Sequence, residues 1–148
     1  MRRINQAIDK DSIIEALSSG DGAIFPTKWS LFMFAAVLGF KHGCRKKLVK
    51  TDQGKAIRTE QFANNDMCFN GVLNLMTLLE KEDERILVSN EENDDLKVTI
   101  FEEYINGGLS LLNEKLETSS FSLDSIIAFV AEEIFQGNIN PDDIELKI

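Results

Sequence analysis

The sequence has few of the residues on which catalytic and metal sites most often depend. Its 148 residues include two cysteines, Cys44 and Cys68, and one histidine, His42. Two widely separated cysteines do not make a disulfide framework, and with one histidine they are a poor ligand set for zinc. A histidine-dependent nucleophile or general base would have to rest on His42 alone. No glycine-rich phosphate-binding motif is present either. The sequence therefore predicts no catalytic residue, no metal and no cofactor.

Long hydrophobic runs are also absent. The longest apolar stretch, from Trp29 to Phe40 and interrupted only by Ser30, covers twelve positions, whereas a membrane-spanning helix needs about 20. Arg2 and Arg3 are not followed by an apolar stretch, so no secretory signal is expected. These features predict a cytoplasmic protein that does not contact a membrane.

The overall composition is that of a folded domain. Hydrophobic residues make up 43% of the chain and charged residues 28%, which is too apolar for a disordered protein. A chain of this length buries enough surface to build one core without a disulfide or a metal. A single domain spanning residues 1–148 is predicted.

Helical periodicity dominates the hydrophobic pattern, and five helices are predicted. The first helix begins near Ser12, and the second runs from Lys28 to about His42. The third runs from Asn65 or Asp66 to about Glu82, and the fourth from Glu91 to Leu116. The fifth begins at Ser120 or Ser122 and ends at Gly137. Residues 85–88 are predicted to form a short extended piece, and Pro141 to open a last helical turn. The predicted fold is all-α: a compact single-domain bundle of about five helices, with a basic loop or short ribbon after the second helix.

Small residues stand at two places in these predicted helices. Ala35, Ala36 and Gly39 give the second helix positions at which another backbone can approach closely. Gly107 and Gly108 interrupt the fourth helix and cost it about 2 kcal/mol relative to alanine. A kink, a break or a tight crossing would each explain them. Because the second helix is apolar nearly all round, it suits a homodimer as well as a monomer.

Positive and negative charges are distributed unevenly along the chain. Lys and Arg number 16 and Asp and Glu 25, which gives a net charge of −9. Residues 1–58 contain 11 basic and 5 acidic side chains, whereas residues 59–148 contain 5 basic and 20 acidic ones. The positive part can dock phosphates, and the negative part repels them or faces a basic protein. Adjacent acids such as Glu102 and Glu103 point about 100° apart on a helix and are predicted to lie on solvated faces.

The basic residues are concentrated further in residues 41–58, here termed the basic segment. It contains seven Lys and Arg residues and one acid, Asp52. Gly43 is predicted to stop the second helix, so the segment begins at a helix end and continues into an exposed loop or ribbon. Lys41 and His42 also complement the dipole at the end of that helix. The residues predicted to contact DNA phosphates are Lys41, His42, Arg45, Lys46, Lys47, Lys50, Lys55 and Arg58.

Two stretches of the sequence are distinctive as strings. The first comprises residues 24–27, Ile-Phe-Pro-Thr, and 34–43, Phe-Ala-Ala-Val-Leu-Gly-Phe-Lys-His-Gly, with Arg45. The second comprises residues 100–109, Ile-Phe-Glu-Glu-Tyr-Ile-Asn-Gly-Gly-Leu. Together they resemble a small family of bacterial proteins encoded beside DNA phosphorothioation genes, Dnd system-associated protein 4.

This resemblance implies a protein that accompanies systems which replace a backbone oxygen of DNA with sulfur and spare DNA that carries the mark. It carries over no catalytic residue. The hypothesis is therefore a non-enzymatic accessory or regulatory protein of an antiphage restriction–modification system. In this hypothesis the basic segment contacts double-stranded DNA without sequence specificity, and other components of the system are partners. The alternative is a protein–protein interaction adaptor of the same defence complex that does not bind DNA.

Overall fold

The computed structural model describes residues 1–65, 68–116 and 122–136. Those residues form six α-helices and no strand, so the prediction of an all-α protein is confirmed. The helices are α1 (Asp11–Ser18), α2 (Lys28–Lys41), α3 (Thr59–Asn65), α4 (Phe69–Lys81), α5 (Glu91–Leu116) and α6 (Leu123–Gln136). In the parts of the chain that are described, no helix is long and apolar enough to cross a membrane.

Helices α2 and α5 cross with their backbones in contact, and glycine permits the crossing. A Cβ atom on Gly108 would lie 1.8 Å from the backbone oxygen of Ala35, and one on Gly39 would lie 2.3 Å from the backbone oxygen of Tyr104. Helix α5 continues without a break through Gly108. Of the three predicted explanations for the paired glycines, the tight crossing is the one that the structure confirms.

Helix α2 ends in a glycine-dependent motif that leads into the basic segment. Gly43 has a positive φ of 60°, a backbone conformation that glycine adopts without strain. The amide of Gly43 donates a hydrogen bond to the Phe40 carbonyl at 3.1 Å, and the amide of Cys44 donates to the Gly39 carbonyl at 2.8 Å. This is the Schellman arrangement of a helix C-terminus. The prediction that Gly43 stops the second helix is confirmed.

The structure corrects the predicted third helix. Helix α4 begins at Phe69 rather than at Asn65, and a separate short helix, α3, precedes it; the other predicted start, Asp66, lies outside the described residues. Phe62 of α3 is fully buried, and its ring stacks on Phe69 at 4.8 Å between centroids and meets Phe101 edge-on at 5.8 Å. A helix of seven residues with so few apolar positions shows no hydrophobic periodicity from which it could be predicted. Its stability comes from tertiary packing.

The extended piece predicted at residues 85–88 is also wrong, because Glu84–Leu87 forms a 3-10 turn. The Asp83 carboxylate accepts a hydrogen bond from the Arg85 amide at 3.0 Å. The amide of Ile86 donates to the Asp83 carbonyl at 3.2 Å. A local cap thus satisfies backbone groups that a strand would pair with a neighbouring strand.

The N-terminal residues run antiparallel to the end of the basic segment. Ile4 and Ile57 exchange both backbone hydrogen bonds, at 2.8 and 2.9 Å, and the amide of Ile8 donates to the Lys50 carbonyl at 3.0 Å. Both members of the Ile4–Ile57 pair are buried. The pairing consists of isolated bridges rather than a continuous strand, which is the form taken by the predicted loop or short ribbon.

Contacts divide the chain into two compact units, Met1–Asn113 and Glu114–Ile148. In the second unit, α6 follows Ser122, whose hydroxyl accepts a hydrogen bond from the Ser125 amide at 3.2 Å. This agrees with one of the two predicted starts of the fifth helix. Three predicted positions lie outside the described residues: Ser120, Gly137 and Pro141. The single domain spanning residues 1–148 stays a prediction.

Candidate nucleic-acid interface

The backbone of the basic segment is held against the middle of α5. Asn106 is buried, and its Nδ2 donates hydrogen bonds to the carbonyls of Lys46 and Lys47, each at 3.2 Å. The Lys46 amide donates to the backbone oxygen of Glu103 at 3.0 Å. Because these bonds use only main-chain atoms of the two lysines, they fix the loop while both lysine side chains remain exposed.

Glycine in α5 allows the same loop to lie directly on the helix. A Cβ atom on Gly107 would lie 1.8 Å from the backbone oxygen of Cys44. The Cys44 thiol donates to the Gly107 carbonyl, with 3.6 Å between sulfur and oxygen. The paired glycines therefore have separate tasks, since Gly107 admits the loop and Gly108 admits α2.

Arg45 is engaged within the protein. Its Nε donates to the carboxylate of Glu103, and its Nη1 donates to that of Glu80 at 3.0 Å. The same Glu80 carboxylate accepts a hydrogen bond from the hydroxyl of Tyr104. Partial burial on its own would lower the pKa of Arg45, but the hydrogen bond and charge of Glu103, joined by those of Glu80, raise it. The guanidinium thus tethers the loop, and a phosphate would have to compete with two carboxylates for it.

Lys55 is also paired with an acid of the protein. Its Nζ lies 2.6 Å from Oδ2 of Asp11 in α1, and its carbonyl accepts a hydrogen bond from the Lys28 ammonium at 2.8 Å. The hydrogen bond from Lys55 lowers the pKa of Asp11 and raises that of Lys55 itself. Burial lowers the pKa of Lys28. These contacts tie the end of the basic segment to α1 and α2.

The other residues predicted to contact phosphates are exposed, and the structure separates them from Arg45 and Lys55. The exposed set is Lys41, His42, Lys46, Lys47, Lys50 and Arg58. Lys41 and His42 lie at the C-terminal end of α2, where positive charge is favoured by the helix dipole. In the described part of the chain, the side chains of the other four make no hydrogen bond or ion pair. Their charges are presented to solvent.

One exposed cation lies beside the basic segment but outside the predicted set. Arg3 precedes Ile4, and the antiparallel pairing of Ile4 with Ile57 places Arg3 opposite Arg58. Its neighbour Arg2 differs, because it binds the Glu102 carboxylate through two nitrogens at 2.6 and 3.1 Å. The sequence shows two consecutive arginines, Arg2 and Arg3, near the N-terminus. The bridge between Ile4 and Ile57 that brings Arg3 to the basic segment could not be predicted from the sequence.

The acidic pair in α5 corrects another expectation. Glu102 and Glu103 were predicted to lie on a solvated face, yet both are buried. Glu102 binds Arg2 and Glu103 binds Arg45, so adjacent carboxylates serve two different segments of the chain. Among the residues that the structure describes, no group of three or more His, Cys, Asp or Glu side chains is placed to hold a metal ion.

The fold and this surface define the class: an all-α protein whose central helix anchors an exposed basic loop. A family model described as DNA sulphur modification system-associated protein 4 matches residues 3–147. The chain belongs to this family, whose description links it to a DNA sulphur modification system. No curated protein and no solved structure matches the chain.

Proposed function

We propose that this chain is a non-enzymatic accessory protein of a DNA sulphur modification system, and that it binds backbone phosphates of double-stranded DNA. The observation that carries the proposal is the loop at Lys46 and Lys47, whose backbone is fixed by Asn106 while both side chains are exposed. A loop already held in place loses less conformational entropy on binding than a free one does. Such an arrangement favours contact with an extended anion.

The proposed interface consists of the exposed Lys, Arg and His side chains of the basic segment. They are Lys41, His42, Lys46, Lys47, Lys50 and Arg58. Arg45 and Lys55 have a supporting role in this proposal, because each is paired with carboxylates that hold the segment in place. The contacts are to phosphates, which carry no sequence information by themselves, so binding is expected to be tolerant of sequence.

Salt-dependent binding to labelled duplex DNA tests the proposal. The logarithm of the binding constant falls with the logarithm of salt concentration by about 0.9 for each phosphate contact, so four to six contacts give a slope of about −4 to −5. Fluorescence anisotropy at several salt concentrations measures this slope. Absence of binding at about 50 mM salt, where phosphate contacts are strong, would overturn the proposal.

A charge-matched pair of double variants assigns the surface. Reversing Lys46 and Lys47 to glutamate is expected to weaken DNA binding about tenfold or more at low salt. Reversing Lys81 and Arg85 to glutamate changes the net charge equally at exposed positions outside the basic segment. If both double variants weaken binding equally, the effect comes from overall charge and not from the loop. Circular dichroism of each variant checks that the fold is intact.

The second candidate function is a protein-interaction adaptor of the same system that does not bind DNA. The charge of residues 59–148, with 20 acidic and 5 basic side chains, favours it, because this part of the chain repels phosphates. Purified components of the system would then bind the wild-type chain, and reversal of Lys46 and Lys47 would abolish that binding. The adaptor function would be established if the wild-type chain did not bind DNA and the reversal of Lys46 and Lys47 abolished binding to a protein partner.

A further inference from the structure

We propose that Arg3 and Arg58 together form a binding site for a phosphate group. This inference deepens the proposed function, because the choice of DNA as the source of the phosphate rests on that function. The geometry begins with the buried pair Ile4 and Ile57, which exchange backbone hydrogen bonds of 2.8 and 2.9 Å. Neighbouring residues in an extended chain point to opposite faces, so burial of this pair places the two arginines on the solvent side.

The two arginines face one concave surface. Arg3 and Arg58 flank the antiparallel Ile4–Ile57 bridge on the same side, so the register of the two segments makes them neighbours. Both line a concavity of about 340 Å³ together with Met1, Thr59 and Glu60, at the lower end of the range for small-molecule sites. Glu60 is the acid on its wall, so two positive side chains face one negative side chain.

No carboxylate among the described residues neutralises the charges of Arg3 and Arg58, whereas carboxylates do neutralise the other arginines of this region. Arg2 is bound by Glu102, and Arg45 by Glu80 and Glu103. Within the described residues, the guanidinium of neither Arg3 nor Arg58 makes an ion pair or a hydrogen bond. Like charges directly opposite each other on paired chains are destabilising. An anion bound between the two guanidiniums would remove that repulsion.

The chemistry of the pair suits a phosphate group. A guanidinium presents a planar fork of donors that matches two oxygens of a phosphate. Two forks that face one concavity can each bind two oxygens of the same tetrahedral group. That group can be a phosphodiester of a DNA backbone or a phosphate monoester, and the experiment separates these sources.

The test compares Arg3→Gln with Arg85→Gln, which removes an exposed arginine elsewhere in the same unit. In anisotropy with labelled duplex DNA, Arg3→Gln is expected to lower affinity about threefold to tenfold and to make the salt slope shallower, by at most about 1 because Arg58 still contacts the phosphate. Arg85→Gln is expected to leave both values unchanged. Wild-type binding to DNA with an unchanged slope for Arg3→Gln would overturn this site and leave the proposed function standing.

A second measurement probes the site without DNA. Chemical shifts of the arginine Nε–H groups are followed by NMR during titration with inorganic phosphate and, separately, with a dinucleotide that carries one phosphodiester. Saturable shifts confined to Arg3 and Arg58 and lost in Arg3→Gln support the site, even if duplex DNA does not bind and the proposed function fails. A larger response to inorganic phosphate than to the dinucleotide would assign the site to monoesters and overturn the choice of a DNA backbone phosphate. Absence of saturable shifts at these two residues with both probes would overturn the phosphate site.

Discussion

Replacement of Gly108 by alanine tests the crossing of α2 and α5, because two effects of opposite sign compete there. In the interior of an exposed helix alanine is favoured over glycine by about 1 kcal/mol. At Gly108 the new Cβ atom would lie 1.8 Å from the Ala35 oxygen and 3.0 Å from the Ala35 Cα. Overpacking costs about 1–3 kcal/mol, and contact with backbone, which cannot rotate away, places this case at the upper end. The expected net effect is a loss of about 2 kcal/mol in the free energy of unfolding.

Gly71→Ala is the matched control for this measurement. Gly71 lies within α4, and a Cβ atom on it would meet nothing within 4 Å beyond the backbone of its own helix. The helix preference therefore acts alone, and a gain of about 0.5–1 kcal/mol is expected. Urea unfolding followed by circular dichroism gives both values, and thermal unfolding should show a fall of about 4–8 °C for Gly108→Ala. If Gly108→Ala were as stable as the wild type while Gly71→Ala gained stability, the two backbones would not be in contact.

Three further predictions concern stability. Asp11→Asn should lower the free energy of unfolding at pH 7, because the hydrogen bond from Lys55 lowers the pKa of Asp11 from 3.8 and such a carboxylate stabilises only while ionised. The deficit should shrink as the pH falls below 3.8; a deficit that stays constant in acid urea titrations contradicts this. Thr27→Ala removes the cap that accepts the Ser30 amide at 3.2 Å and should cost about 1 kcal/mol in urea unfolding, whereas Thr27→Ser should retain most of it. Glu82→Gly should gain about 0.5–1 kcal/mol in the same assay, because φ at this residue is 52° and the relief of left-handed strain exceeds the added chain entropy; a destabilised variant would refute the strain.

The features that could be predicted from the sequence depend on neighbouring residues. Gly43 ends α2 because glycine alone adopts its positive φ without strain, and Ser122 begins α6 because its hydroxyl caps an amide three residues later. The small residues of α2 and the paired glycines of α5 were visible too, because a close helix crossing requires them on both helices. In each case the cause lies within one turn or one helix face.

The features that could not be predicted depend on partners far away in the chain. Arg45 is as basic as Lys46 in sequence, yet it binds a glutamate 58 positions later while Lys46 stays exposed. Lys55 likewise binds an aspartate 44 positions earlier. Which cation of a basic stretch meets solvent is decided by the acids that tertiary structure brings to it. A count of charges therefore does not predict which side chains of a basic stretch are exposed and which are paired within the protein.

The polar residues of α5 connect this family sequence to the proposed interface. Burying a carboxylate or an amide costs free energy unless it is hydrogen-bonded, and an apolar residue would fill the same space without that cost. Glu102 uses its bonds to hold Arg2 and the amide of Asn5, while Glu103 and Asn106 hold the loop that carries the exposed lysines. The N-terminal segment and the basic segment, which carry the unpaired cations, are thus both bound to α5. The side chains that bind them are buried polar residues, and stability alone does not require polar residues at these positions. We interpret α5 as the element that holds both the N-terminal segment and the basic segment in place.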